Sequence, residues 1–295
     1  MTKQARWRIA GKTIAVQLLS STYNIPETWE REAARYATDL PCGKGDLDLC
    51  IEPRRKWQAS DYAQTADAVS SADSPSLRIV ENRIGLAGTI EKTGSGYFGS
   101  FAVDSRYEIP FTAIIRTCLS FLCEQQAQLM LHASGVRRNG KLWIFCGAPG
   151  TGKSTIATEL NNGGELFSSD QVVLGLDDDS EVIAHPTPFS TEEPSAGNPD
   201  PGKVTGIAFI EQAREAALLP VDPKDASLEL LRESRSLSRS ASTWDRVMLL
   251  VERLAERNLC FRLRFARDTS FWPLLEDFSS VSRIPGPIEE RIHGQ

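Results

Sequence analysis

LWIFCGAPGTGKSTIATEL, residues Leu142 to Leu160, is the stretch around which the rest of the chain is organised. Within it, Gly147, Ala148, Pro149, Gly150, Thr151, Gly152, Lys153 and Ser154 fit the pattern G-x-x-x-x-G-K-[ST], with Thr155 directly after. An apolar run, Leu142 to Cys146, precedes the pattern and reads as a buried strand. Thr155 to Leu160 reads as the first turns of a helix. Without that strand–loop–helix order the pattern is only a glycine-rich turn; with it, the stretch reads as a phosphate-binding loop. The glycines let the backbone approach an anion closely. Successive N–H groups then turn inward around a phosphate, and the following helix adds its positive end. Lys153 reaches phosphate oxygens, and the Ser154 hydroxyl suits Mg²⁺. ATP and Mg²⁺ are therefore the expected ligands.

Working outward, Leu129 to Val136 (LMLHASGV) reads as the strand before the loop strand, and Asn139-Gly140 as the hairpin turn joining them. Glu165 to Ser169 leads to Asp170, and Gln171 to Leu176 continues as an apolar strand. Asp170 thus falls where a neighbouring strand would bring a carboxylate beside Ser154. It is the expected proton acceptor for an attacking hydroxyl and a second Mg²⁺ ligand, against the plainer reading of an aspartate at a chain reversal. His132 is one of three histidines, with His185 and His293. By itself, a lone histidine in a strand reads as a core residue.

Pro110 to Gln128 has apolar residues at i, i+3, i+4 spacing and reads as a helix with a structural face. Before it come a hairpin around Ala10-Gly11-Lys12, a short helix over Pro26 to Ala37, and a strand from Asp46 stopped by Pro53. Short strands follow at Leu77, Arg83 and Tyr97. The domain expectation is a β-rich module over residues 1–108 and an α/β P-loop kinase domain over 109–295. Trp57 to Ser74 reads as a loop, and Asp177 to Glu181 as a solvated turn. Thr187 to Lys203, rich in Pro, Gly and Ser, is long for a connection and is expected to be disordered or a lid; Lys203 at its end reads first as a solvated lysine. Val204 to Ile210 reads as a strand, Ala226 to Arg232 and Thr243 to Ala255 as helices, Cys260 to Ala266 as a strand, and Phe271 to Phe278 as a last helix before a frayed tail.

A net charge of −6 and no dominant basic stripe argue against a nucleic-acid partner. The densest basic stretch, Arg232 to Arg239, alternates with serines and reads as solvated. Hydrophobic residues at 41% suffice for a sizeable core. No apolar run approaches the ~18 residues of a membrane span, and the N-terminus lacks a signal-peptide core. The six cysteines show no C-x-x-C pair, which fits a reduced, cytoplasmic protein. The sequence leaves room for a homo-oligomer.

The segment from Leu131 to Gln171 resembles the HPr kinase/phosphorylase group and the HPr kinase-like proteins of lasso-peptide and related clusters. That family has a histidine fifteen residues before the first loop glycine and an aspartate seventeen after the loop lysine, and His132 and Asp170 keep both spacings. The later TPF segment and Leu263 to Trp272 also look like the kinase-like members. The resemblance implies an HPr kinase/PEP carboxykinase-like α/β core. It implies transfer of the ATP γ-phosphate to a hydroxyl, chiefly Ser, of a peptide, protein or small molecule. In it Lys153 neutralises phosphate, Ser154 and Asp170 hold Mg²⁺, and Asp170 acts as base with His132 oriented against it. Two departures stand out. Gln171 replaces a second aspartate, and Pro188 to Lys203 stands where the family has an Arg-Gly-rich segment. The resemblance therefore does not carry HPr over as the substrate. Nucleotide binding without transfer, supported by Gln171, and phosphate removal are the alternatives.

Overall fold

A computed structural model describes residues 2–19, 25–40, 46–54, 76–81, 85–104, 111–159, 163–189, 200–235 and 241–280. The expected Trp57–Ser74 loop, Cys42, the centre of the Thr187–Lys203 segment and the tail with His293 lie outside these residues.

Two mixed sheets dominate. The first has six strands: β1 (Thr2–Ile9), β2 (Lys12–Leu19), β3 (Leu47–Arg54), β4 (Leu77–Glu81), β5 (Leu86–Thr93) and β6 (Gly96–Asp104), in the order β1-β2-β3-β6-β5-β4. The β1–β2 hairpin turns at Ala10 and Gly11, both at positive φ, as the Ala-Gly-Lys signal predicts. Pro53 does not stop its strand, contrary to expectation: β3 continues to Arg54 opposite β6. The β2 ladder on the other side ends at Ile51, so the missing proline N–H breaks no bond there. α1 (Glu27–Ala33), followed by a 3₁₀ turn, packs Trp29 against Trp7 and against Phe111 at the start of α2 (Phe111–Gln125).

The second sheet has nine strands: β7 (Leu129–Arg138), β8 (Lys141–Cys146), β9 (Glu165–Ser168), β10 (Gln171–Leu176), β11 (Val182–Pro186), β12 (Gly202–Lys203), β13 (Gly206–Gln212), β14 (Ala217–Pro220) and β15 (Cys260–Phe265). Eight lie in the order β12-β11-β10-β7-β8-β13-β15-β14, with β9 paired to β7. β8, β13 and β15 are parallel, and the rest of the ladder is antiparallel. Asn139 and Gly140 turn β7 into β8, both at positive φ. α3 (Lys153–Thr158) follows the loop; α4 (Pro223–Glu233) and α5 (Ala241–Ala255) cover one face of the sheet. On the opposite face Phe271 and Trp272, at the start of α6 (Trp272–Glu276), pack with Ile156 and Ala157 of α3. The apolar cluster of the first sheet takes in Met130, Val173 and Phe189, so the two sheets share a core through α2.

Lys12 adds a polar tie between them. Its buried ammonium donates to the Ala10 carbonyl at 3.1 Å and to the Gln128 side-chain oxygen. Lys203 ion-pairs with Glu181 at the surface, 3.1 Å away, and is solvated as read. The Asp177 carboxylate accepts the Glu181 N–H at 2.7 Å and the Asp177 carbonyl accepts the Ser180 N–H at 2.9 Å, so that run is a turn. Cys50, Cys118, Cys123, Cys146 and Cys260 are free thiols. No helix among the described residues is long and apolar enough to cross a membrane.

Candidate functional site

The site forms where β8 ends. From Leu142 to Cys146 every residue is buried, and the chain leaves the sheet at Gly147. Gly150 and Gly152 adopt φ of 82° and 113°. A Cβ on Gly150 would touch nothing, so its requirement is conformational alone; at Gly152 a Cβ would also come within 2.9 Å of the Phe265 ring. The loop is braced from several sides. Thr151 Oγ1 donates to the Ala148 carbonyl at 2.8 Å, and Gln212 Nε2 at the end of β13 reaches the Gly150 and Thr151 carbonyls at 3.4 Å. Buried Ser134 on β7 donates to the Lys153 carbonyl at 3.0 Å, fixing the helix start to the sheet.

The Lys153 ammonium curls back into the loop, 2.5 Å from the Gly147 carbonyl and 3.2 Å from that of Ala148. Burial lowers its pKa, and the Glu233 carboxylate opposes that shift. Ala148, Pro149 and Gly150 are exposed, and Ser154 and Thr155 half-buried. The following helix, α3, has six residues, so its macrodipole adds little.

Asp170 lies between β9 and β10. It does not cap a reversal: Ser168 opposes Gly135 and Gln171 opposes His132, so past the irregularity at Gly135/Val136 the chain keeps one register along β7. The Asp170 carbonyl accepts the Ala133 N–H at 3.1 Å. Ser168 Oγ and Thr187 Oγ1 both donate to the Gln171 carbonyl, at 2.6 and 2.7 Å, which pins the residue after Asp170. The Thr187 end of the long segment therefore sits beside Asp170.

His132 shares its strand face with Met130 and Ser134, the side carrying α2 and α3. Its Nε2 is 3.5 Å from Asp170 Oδ1 and its Nδ1 is 3.7 Å from Glu233 Oε2. Burial and the nearby Lys153, Arg235 and Arg116 charges push its pKa down, with Asp170 pulling the other way. The imidazole is neutral at physiological pH.

Three residues here escaped the sequence reading. Arg116 on α2 places Nη2 3.2 Å from Asp170 Oδ2 and its guanidinium 5.1 Å from the centroid of the Phe189 ring. It is the one basic residue of that helix, which was the available signal. Glu233 ends α4, nearly buried, its pKa raised by burial. Arg235 lies within the serine-rich basic stretch; its backbone N–H donates to the Met130 carbonyl at 2.8 Å, and Ser120 Oγ donates to its carbonyl. Its charge acts on His132 and Lys153, so it is part of the site's field while its side chain stays exposed. The Gln171 amide is fully buried and, among the described residues, neither of its polar atoms is partnered; the same holds for Ser169 Oγ and Arg116 Nε. In this arrangement Gln171 is sealed from solvent rather than presented to a substrate.

The chain matches no protein-family profile and no curated protein. Among solved structures, the HPr(Ser) kinase/phosphatase from Coxiella burnetii is weakly similar, over 52% of this chain and 95% of that one, with 9% identity and a TM-score of 0.28. A similarity at that level carries no argument about mechanism.

Proposed function

We propose that this protein is an ATP-dependent kinase that transfers the γ-phosphate to a hydroxyl, chiefly Ser, of a peptide, protein or small molecule. The observation that carries the reading is the meeting of two elements: the glycine loop with Lys153, and Asp170, which lies 3.5 Å from His132 and whose carboxylate acts on that lysine. Phosphate binding would transfer the Lys153 ammonium from the Gly147 and Ala148 carbonyls to phosphate oxygens. Asp170 takes the proton of the attacking hydroxyl. Arg116 holds its Oδ2 and leaves Oδ1 turned toward His132. Catalysis in such a site is positioning plus fixed charge.

Magnesium uses one or two protein oxygens alongside nucleotide phosphates and water. Ser154 and Asp170 would hold it, and it would neutralise charge on the transferring phosphoryl.

One observation favours a second reading, nucleotide binding without transfer: Asp170 is already engaged by Arg116, and Gln171 is sealed. Titration calorimetry with Mg-ATP, followed by single-turnover assays with γ-labelled ATP and serine-bearing peptides, separates the two. Label on an acceptor supports the kinase; binding without label on any acceptor supports the second reading; no binding overturns both.

A further inference from the structure

Glu233 has an unfavourable position that the fold alone does not explain. It is 6% exposed and is the last residue of α4, at the negative end of the helix dipole. Glu229, one turn earlier, is held by Arg232 at 2.9 Å and Arg262 at 3.2 Å. Among the described residues, the one ion-pair contact of Glu233 is His132. The carboxylate is nevertheless rigidly delivered. Ser234 bridges to Leu131, and the Arg235 N–H donates to the Met130 carbonyl, so the end of α4 lies along the part of β7 that β8 has left.

His132 is thus flanked by carboxylates, one at each ring nitrogen, 3.5 Å to Asp170 and 3.7 Å to Glu233. We propose that Glu233 is a positioning residue for His132: it accepts the Nδ1–H and fixes the ring so that Nε2 presents a lone pair to Asp170. A neutral imidazole has one N–H, so fixing it on Nδ1 decides what Nε2 can do. Once Asp170 has taken the proton of the attacking hydroxyl, its O–H donates a hydrogen bond to that lone pair, which stabilises the protonated acid. The logic is that of a carboxylate holding a histidine in one tautomer for a neighbouring group. The kinetic part of the inference rests on the kinase reading; the tautomer part does not. Glu233 also interacts with Lys153, so a competing role is counter-ion to the loop lysine. The charged groups around the imidazole are Asp170, Glu233, Arg116, Lys153 and Arg235.

The test uses the full chain with Glu233→Leu, Glu233→Gln, His132→Ala and the double variant His132→Ala/Glu233→Leu, with Glu229→Gln as a surface control and thermal melts to establish folding. Glu233→Ala takes the place of the leucine variant in case the latter does not fold. Side-chain ¹⁵N NMR of His132 should show the Nδ1–H tautomer in the native protein and in Glu233→Gln, whose amide oxygen still accepts, and lose it in Glu233→Leu. Turnover should fall roughly 10–100-fold in Glu233→Leu, the usual effect of losing a carboxylate that orients a histidine. It should fall only a few-fold in Glu233→Gln, with KM for ATP changed less than about threefold, and the double variant should lose no more than His132→Ala alone. An unchanged tautomer in Glu233→Leu overturns the proposal, as do losses that multiply in the double variant. A defect confined to nucleotide affinity overturns it in favour of the counter-ion role. Should the native protein bind ATP and phosphorylate no acceptor, the kinase reading fails, and the NMR result still decides the role of Glu233.

Discussion

Arg116 Nη2 lies 3.2 Å from Asp170 Oδ2, and the same guanidinium stacks over Phe189, whose ring packs on Trp29 with centroids 5.7 Å apart. One arginine therefore connects the candidate base to the beginning of the long Thr187–Lys203 segment, and through it to the core of the first sheet. Arg116→Met keeps the volume on the aromatic ring and removes the charge. Asp170 then loses the guanidinium that holds its Oδ2 in place. Phosphoryl transfer should fall about 10–100-fold, less than the loss of the positioned acid–base group itself, while ATP affinity changes little. Transfer rates and calorimetry measured on one preparation check this; an unchanged rate would show that Arg116 serves packing alone.

Lys153→Ala should leave the melting temperature within a few degrees of native and abolish measurable ATP binding or turnover. Among the described residues, the ammonium's hydrogen bonds go to the Gly147 and Ala148 carbonyls of the loop itself. Retained affinity and turnover in a folded variant would remove the loop from the mechanism.

Asp170→Asn should bind ATP normally and transfer phosphate roughly 10²–10⁴-fold more slowly. The amide keeps the shape beside His132 and Arg116 but cannot take a proton at neutral pH. Full activity would send the search for the base to His132.

The elements set by local chemistry were readable from the sequence. The hairpins at Ala10-Gly11 and Asn139-Gly140 announce themselves by residues at positive φ, and the glycine loop by its lysine and flanking strand. Pro53 was misread because its tolerance depends on where the β2 ladder ends, which is a property of the sheet. β14 escaped because Ala217–Pro220 is a short edge strand with no alternation and a proline at its end. The candidate site was half legible. His132 and Asp170 carry a spacing, and they meet because one register runs along β7. Arg116 reaches Asp170 from fifty-four residues away and Glu233 arrives beside His132 from α4, so neither contact leaves a local pattern.

The last prediction concerns acid stability and His185. This residue lies on β11 opposite Val173, and its pKa is pushed down to about 4, first by burial and then by the charge of Lys12. The unfolded chain binds a proton on it near pH 6.5, and the folded chain only near 4. Between those values the unfolded state holds more protons, so stability is complete above about pH 6.5 and is lost as the pH falls toward 4. His132, also lowered, acts with the same sign, whereas Glu233, raised by burial, acts oppositely as the pH rises through its own range. The part due to His185 is at most about 2 kcal/mol once its partial exposure to solvent is allowed for. In a chain of this size that corresponds to roughly 4–8 °C in Tm. His185→Gln cannot titrate, so its melting temperature should drop less than that of the native protein between pH 7.5 and 4.5. Comparing the two drops, rather than the absolute melting points, cancels any fixed cost of the substitution. Equal drops would mean that His185 takes up its proton at the same pH in both states, and that its burial against Lys12 has no bearing on acid stability.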